Sequence, residues 1–155
     1  MKVHIKNYPD EDSISYKLGL YTQQKVDVRI DKWDTWSLDE TLAHIIHPAL
    51  VQLKNSVQGY PGDKELDIDA PINLETDEDR WQWILGEMIF AFKSKLYDWG
   101  EEFTSGELDY NIVNDELVKG PNNTFKIDQK AMKECQARIT NGFRLFGKYY
   151  EHLWD

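Results

Sequence analysis

The sequence predicts an α+β fold, mainly helical, with a small N-terminal antiparallel sheet packed on a three-helix core and two long acidic loops. Three observations predict it. Apolar residues alternate with polar ones at Val3 and Ile5 and again at Val26, Val28 and Ile30, the period of a half-buried strand. Three later segments space their apolar residues three and four apart, the period of a helix face. The stretches between those helices are rich in acid, glycine and proline and carry neither period.

The first elements follow from side-chain direction. Val26, Val28 and Ile30 point one way and Asp27, Arg29 and Asp31 the other, so two strands pair with the intervening segment as their connection. A helix opens at Ser37-Leu38-Asp39-Glu40. There the serine hydroxyl can cap an N–H three residues on while the glutamate reaches back. Leu38, Leu42, Ile45, Ile46, Ala49 and Leu53 form its apolar face. Pro48 lies inside this pattern and should kink or divide the helix near His47.

Positions 58–79 hold eight acidic residues against one lysine, with Pro61, Pro71 and two glycines. A loop of that length is mobile or functional. Thr76-Asp77-Glu78-Asp79 supplies a cap and an acidic first turn for a second helix. Trp81, Ile84, Leu85, Met88, Phe92, Leu96 and Trp99 form a stripe, and Trp83 and Phe90 widen it. A helix apolar around so much of its circumference is central. A second irregular acidic stretch follows Gly100 and ends in the turn cluster Gly120-Pro121-Asn122-Asn123. Phe125 and Ile127 predict a short strand. Asp128 caps a last helix toward Leu153, whose core face is Met132, Cys135, Ile139, Phe143, Phe146 and Tyr150.

Composition sets the functional bounds. The 155 residues suit a single domain over the whole chain, and 41% hydrophobic residues are enough for a core without staples. An aromatic share of 13% predicts a dense aromatic core or, alternatively, exposed ring platforms. One cysteine, Cys135, excludes an internal disulfide and points to a reducing compartment. No apolar run approaches the ~18 residues that cross a bilayer, and Met1 to Lys6 is not a leader. The reading is a cytoplasmic protein with no membrane partner. A net charge of −10 argues against direct nucleic-acid binding. That charge is uneven: positions 126–152 carry six basic residues against three acidic, a net +3 that leaves −13 on the remainder.

The basic helix carries the leading candidate site. Arg138, Asn141, Leu145, Lys148 and His152 recur every three or four residues with Arg144 beside them. Guanidinium, amide and ammonium groups on one face suit a carboxylate or phosphate. Trp33, Trp36 or Trp83, or Tyr149, would supply aromatic walls. Asn141-Gly142 are poor mid-helix residues and fit a close approach of ligand or backbone. The alternative is a solvated face that balances the acidic loops.

Glu40, His44 and His47 lie within one sector of the first helix and are weak candidates for a two-histidine, one-carboxylate metal site. The alternative there is an ordinary exposed Glu–His pair, since no HExxH or CxxC motif supports it. Glu87 sits among apolar residues, so it must be paired, with Arg138 or His44, or else act as a general base. Cys135 lies on an apolar face as an inert core residue. No GxSxG, Walker-type or GxGxxG loop is present, and no cofactor or catalytic residue is indicated.

Several stretches together resemble a family of small uncharacterised proteins from tailed bacteriophages. They are Arg29 through Asp39 (RIDKWDTWSLD), Ile45-Ile46-His47-Pro48 with Gln52-Leu53-Lys54, Trp83 through Phe92 (WILGEMIFAF), Gly120 through Asp128 (GPNNTFKID), and Arg138 through Trp154. The similarity covers most of the chain after Val28 and brings no site residue with it. It implies a setting, the cytoplasm of an infected bacterium, where accessory and counter-defence roles are common. Residues and setting together predict a non-enzymatic accessory protein that binds or sequesters a small anionic, nucleotide-like ligand, with a homo-oligomer interface as one place for it. Three alternatives stand beside it. One is an acidic inhibitor of a host protein, with Glu65, Asp67 and Asp69 as a phosphate-like decoy. The others are a metal-dependent nucleotide hydrolase and a virion component.

Overall fold

The computed structural model describes residues 1–5, 14–18, 26–61 and 66–154. Strands β1 (Lys2–Ile5) and β2 (Val26–Arg29) pair antiparallel, with Val3 opposite Val28 and Ile5 opposite Val26. A one-turn helix, α1 (Ile14–Lys17), lies between them in sequence. The predicted strands and their pairing are present, but Val26, Val28 and Ile30 remain exposed rather than half-buried. The capping box that the structure shows is not the predicted Ser37–Glu40 one but an earlier one of Asp31 and Asp34, around a 3₁₀ turn over Lys32–Thr35. The Asp31 carboxylate accepts from Trp33 N–H at 3.1 Å, and Asp34 accepts from Asp31 N–H at 2.7 Å.

Helix α2 (Leu38–Ser56) starts where the Ser37 carbonyl accepts from Thr41 N–H. It runs unbroken through Pro48. Proline removes a single donor there, and the turns on either side keep theirs. Ala43 and Leu50 are its buried residues, whereas Leu38, Leu42 and Ala49 of the predicted face are exposed. The described residues group into two compact units, Met1–Leu42 and Ala43–Asp155, where the sequence reads as one domain.

The first acidic loop contains a short helix, α3 (Leu66–Asp69), whose Leu66 is fully buried. Helix α4 (Asp77–Lys93) begins as predicted: Thr76 Oγ1 accepts from Asp79 N–H and donates to the Asp79 carboxylate at 2.7 Å. It buries Trp81, Ile84, Leu85, Glu87, Met88, Ala91 and Phe92, and is the centre of the second unit. Lys54 Nζ donates to the Gln82 carbonyl at 2.8 Å, and Gln82 returns a bond to the Lys54 carbonyl, linking α2 to α4.

The second acidic stretch is structured, which corrects the reading of it as irregular. A 3₁₀ turn over Trp99–Phe103 leads into β3 (Thr104–Ser105). Strands β4 (Tyr110–Val113) and β5 (Glu116–Lys119) then form a hairpin. Its two-residue turn, Asn114-Asp115, has φ of 53° and 64°, as the primed turns of tight hairpins require. The predicted short strand is β6 (Lys126–Ile127), paired antiparallel with β3. Asp128 caps α5 (Gln129–Lys148) through Ala131 N–H at 3.0 Å.

Helices α4 and α5 cross at Gly142. A Cβ there would overlap the Glu87 carbonyl oxygen and stand 2.6 Å from Ala91 Cβ. This glycine therefore serves a helix contact rather than a ligand. Phe92 packs edge-on against Phe143 and Phe146 at 5.1 and 4.8 Å between ring centroids. The last helix ends at Lys148, and a 3₁₀ turn follows over Tyr150–His152. The backbone leaves helical geometry at Tyr149, so Tyr149 turns into the core and Tyr150 outward, the reverse of the expectation.

Candidate functional site

Helices α4, α5 and α3 bring the candidate residues to the second unit, and two carboxylates organise them. Glu87 lies on the α4 face turned to α5, and its side chain is 8% exposed. Arg138 spans the gap, donating from Nη2 to Glu87 Oε1 at 2.7 Å and from Nε to Oε2 at 2.9 Å. The same guanidinium lies over the Phe90 ring, 3.8 Å from its centroid. A forked ion pair on an aromatic platform gives Arg138 one fixed geometry. The prediction that Glu87 must be paired holds, with Arg138 as partner. Both of its oxygens are occupied, which suits a structural carboxylate better than a general base.

Asp69, at the end of α3, organises the rest. Its side chain is 5% exposed. Arg144 Nη2 donates to Oδ1 at 2.6 Å, and Lys148 Nζ and Tyr149 Oη donate to Oδ2 at 2.6 and 2.9 Å. Asn141 Oδ1 accepts from Arg144 Nε at 2.9 Å and fixes the near edge of that guanidinium. Burial works against an ionised Asp69. The bonds from Lys148, Arg144 and Tyr149 outweigh it and hold the carboxyl below its usual range. Burial first, and then the Asp69 carboxylate, push the Tyr149 hydroxyl up to about 12.

The helix face that the sequence assigns to a ligand is thus brought together, but not as a vacant cradle. Arg138 is held by Glu87, and Arg144 and Lys148 by Asp69. Asp69 also leaves the decoy surface proposed from Glu65, Asp67 and Asp69, because it is buried and ion-paired. Glu65 lies outside the described residues. Nothing in the local sequence marks Asp69, whose partners come 75 to 80 positions later.

The aromatic candidates divide. Trp83 is partly buried and packs on the core cluster, while Tyr149 is buried against Trp81 with centroids 5.5 Å apart. Trp33 and Trp36 belong to the first unit, and the two residues are 67% and 83% exposed. They lie 6.2 Å apart, with Lys32 Nζ 5.1 Å from the Trp33 centroid. Glu40 and His44 are exposed on α2 and His47 is half-buried. No group of three or more His, Cys, Asp or Glu among the described residues is placed to hold a metal ion. Cys135 is half-buried, and burial followed by the nearby Glu102 charge raises its thiol, so little thiolate forms. His152 keeps its Nδ1 buried without a hydrogen-bond partner among the described residues.

Cavities lie elsewhere. One of about 510 Å³ runs along Met1, Lys2, Val3, His4, Asp27 and Arg29 in the first unit. Another, of about 260 Å³, lies between α2 and the chain end, lined by Ile45, Ile46, Leu50, Leu53, Phe146 and Leu153. No helix among the described residues is long and apolar enough to cross a membrane. Comparison with protein-family models, with curated proteins and with solved structures finds no match.

Proposed function

We propose that this is a binding protein that engages another protein through the Trp33–Trp36 pair. The observation that carries the reading is the exposure of two adjacent tryptophans on a turn fixed by the Asp31 and Asp34 carboxylates. Large rings held in place lose little conformational entropy on binding and dominate interface energetics. Val28 and Ile30 are also exposed in the chain segment that leads into the turn. The net charge of −10 favours a partner with a positive surface. The resemblance to phage proteins adds the setting, in which that partner is a protein of the infected host.

The alternative, a small anion held by Arg138, Asn141, Arg144 and Lys148, has a larger cost to meet. Those groups would first have to leave Glu87 and Asp69, and stripping the partners from a buried charge costs about 3–5 kcal/mol. A protein partner at Trp33 and Trp36 requires no such rupture.

The test is recovery of the tagged full-length chain from the bacterium that expresses it, followed by reconstitution with any stoichiometric partner. Calorimetry on the purified pair should show Trp33→Ala/Trp36→Ala binding weaker by about 100-fold, with Arg144→Ala unchanged. Equal binding by wild type and the double tryptophan variant, or a loss confined to Arg144→Ala, refutes the proposal.

A further inference from the structure

The tryptophan turn seats a cation of its own on one ring only. Lys32 Nζ stands 5.1 Å from the Trp33 centroid, and no cation lies over Trp36 among the described residues. The negative face of an indole attracts a cation more strongly than the ring of tyrosine or phenylalanine does. Trp36, the more exposed of the pair, is thus the ring still open to one.

The chain around that ring is acidic. Positions 26–42 hold five acidic residues against two basic, a net −3. The turn is held against the first turn of α2, where Thr41 Oγ1 donates to the Asp34 carbonyl at 3.1 Å. Asp39 and Glu40 belong to that same first turn, and both are exposed. The Asp34 carboxylate is already engaged by Asp31 N–H, whereas Glu40 has no cationic partner among the described residues. An uncovered indole and an unpaired carboxylate four positions on make complementary halves of a site for a positive side chain.

Ring and carboxylate together favour a guanidinium over an ammonium. An ammonium is a compact, strongly hydrated charge. A guanidinium is planar and weakly hydrated, so it stacks on a ring while the donors on its edge reach a carboxylate. The second unit of this chain contains that arrangement. There the Arg138 guanidinium lies 3.8 Å from the Phe90 centroid with its Nε and Nη2 on Glu87. We infer, resting on the partner reading, that the partner docks an arginine on Trp36, its guanidinium edge turned to Glu40.

The test is nuclear magnetic resonance of the full chain, isotope-labelled at tryptophan nitrogen, with the indole N–H signals assigned through Trp33→Phe and Trp36→Phe. The probe is an acetylated, amidated pentapeptide of alternating leucine and arginine. Two analogues carry lysine or citrulline instead, the latter keeping the planar shape without the charge. At about 0.15 M salt, the arginine peptide should shift the Trp36 signal with a Kd of about 1–10 mM. The lysine peptide should bind about 3-fold more weakly and the citrulline peptide about 10-fold. Glu40→Gln, with an unchanged circular dichroism spectrum, should weaken the arginine peptide about 3-fold and leave the citrulline peptide unaffected. Equal affinity for the arginine peptide and either analogue overturns the inference. So does a shift confined to Trp33, a Glu40→Gln chain that binds as wild type does, or no shift up to about 20 mM peptide. Each of these outcomes is independent of whether Trp33→Ala/Trp36→Ala loses the reconstituted partner, so failure here and failure of the partner reading are told apart.

Discussion

Removing the Asp69 carboxylate strips three donors at once, and its cost can be worked from their surroundings. Arg144 is half exposed, so water replaces most of what it loses, leaving under about 1 kcal/mol. Lys148 is about a quarter exposed and Tyr149 is buried. A hydrogen bond to a charged group contributes about 1.5–3 kcal/mol, and the two together share one oxygen. The total for Asp69→Ala is about 3–4 kcal/mol, in the range for breaking a buried pair. At about 2–4 °C per kcal/mol for a chain of this size, the melting midpoint should fall by roughly 10 °C. Urea titration followed by tryptophan fluorescence reads it directly, because Trp81 lies edge-on to Tyr149.

Acid gives an independent arm to the same experiment. The folded Asp69 carboxyl titrates below its ordinary value of 3.8. Its contribution is therefore complete above the unfolded value and is lost as pH falls through the folded one. Wild type and Asp69→Asn should converge in stability under strong acid and diverge toward neutrality. At the alkaline end the sign reverses. The Tyr149 hydroxyl is raised from 10.0 to about 12, so its share is complete below pH 10 and lost as pH rises through 12. An ultraviolet titration of phenolate should find the most reluctant tyrosine in wild type, and find it titrating earlier in Asp69→Ala. A loss under about 1 kcal/mol, or an unaltered tyrosine titration, would show that Asp69 does not organise this face.

Four further outcomes follow from the geometry. Gly142→Ala should destabilise by about 1–2 kcal/mol in thermal melts, because overlap with Glu87 and Ala91 outweighs the helix propensity gained. Gly147→Ala, with nothing within 4 Å of its Cβ, should stabilise by about 0.5–1 kcal/mol, and equal signs at the two glycines would refute the close crossing. Arg138→Ala should cost about 2–4 kcal/mol by leaving Glu87 buried and unpaired, and adding Glu87→Leu should recover most of it in the same denaturation assay. Asp115→Gly should raise hydrogen-exchange protection across Tyr110–Lys119, since glycine accepts the positive φ without strain.

Much of the fold is legible in the sequence wherever the information is local. Thr76 and Asp128 cap the helices they announce, and the stripe on α4 is the buried stripe. Glu87 is legible for a different reason: a carboxylate amid an apolar face has few options. The misses share a cause as well. Leu66 is one apolar residue in an acidic run, too short for any period to reveal that α3 joins the core. The β4–β5 hairpin has four-residue strands and an Asn-Asp turn instead of Asn-Gly, with acids around it that mimic an open loop. Tyr149 and Tyr150 exchange places because the helix ends between them, and a period extrapolated past its end carries no direction.

The internal partners of the candidate face were not legible for a reason of distance rather than of motif. The charge asymmetry between the last helix and the remainder is real in composition, but composition does not say where opposite charges meet. Glu87 lies 51 positions before Arg138, and Asp69 lies 75 before Arg144. Folding folds this part of the asymmetry back on itself. A basic stripe argues for a ligand only after the chain's own acids have been placed, whereas an exposed apolar group has no such internal partner to find. That difference is why the proposed function rests on Trp33 and Trp36 rather than on Arg138, Arg144 and Lys148.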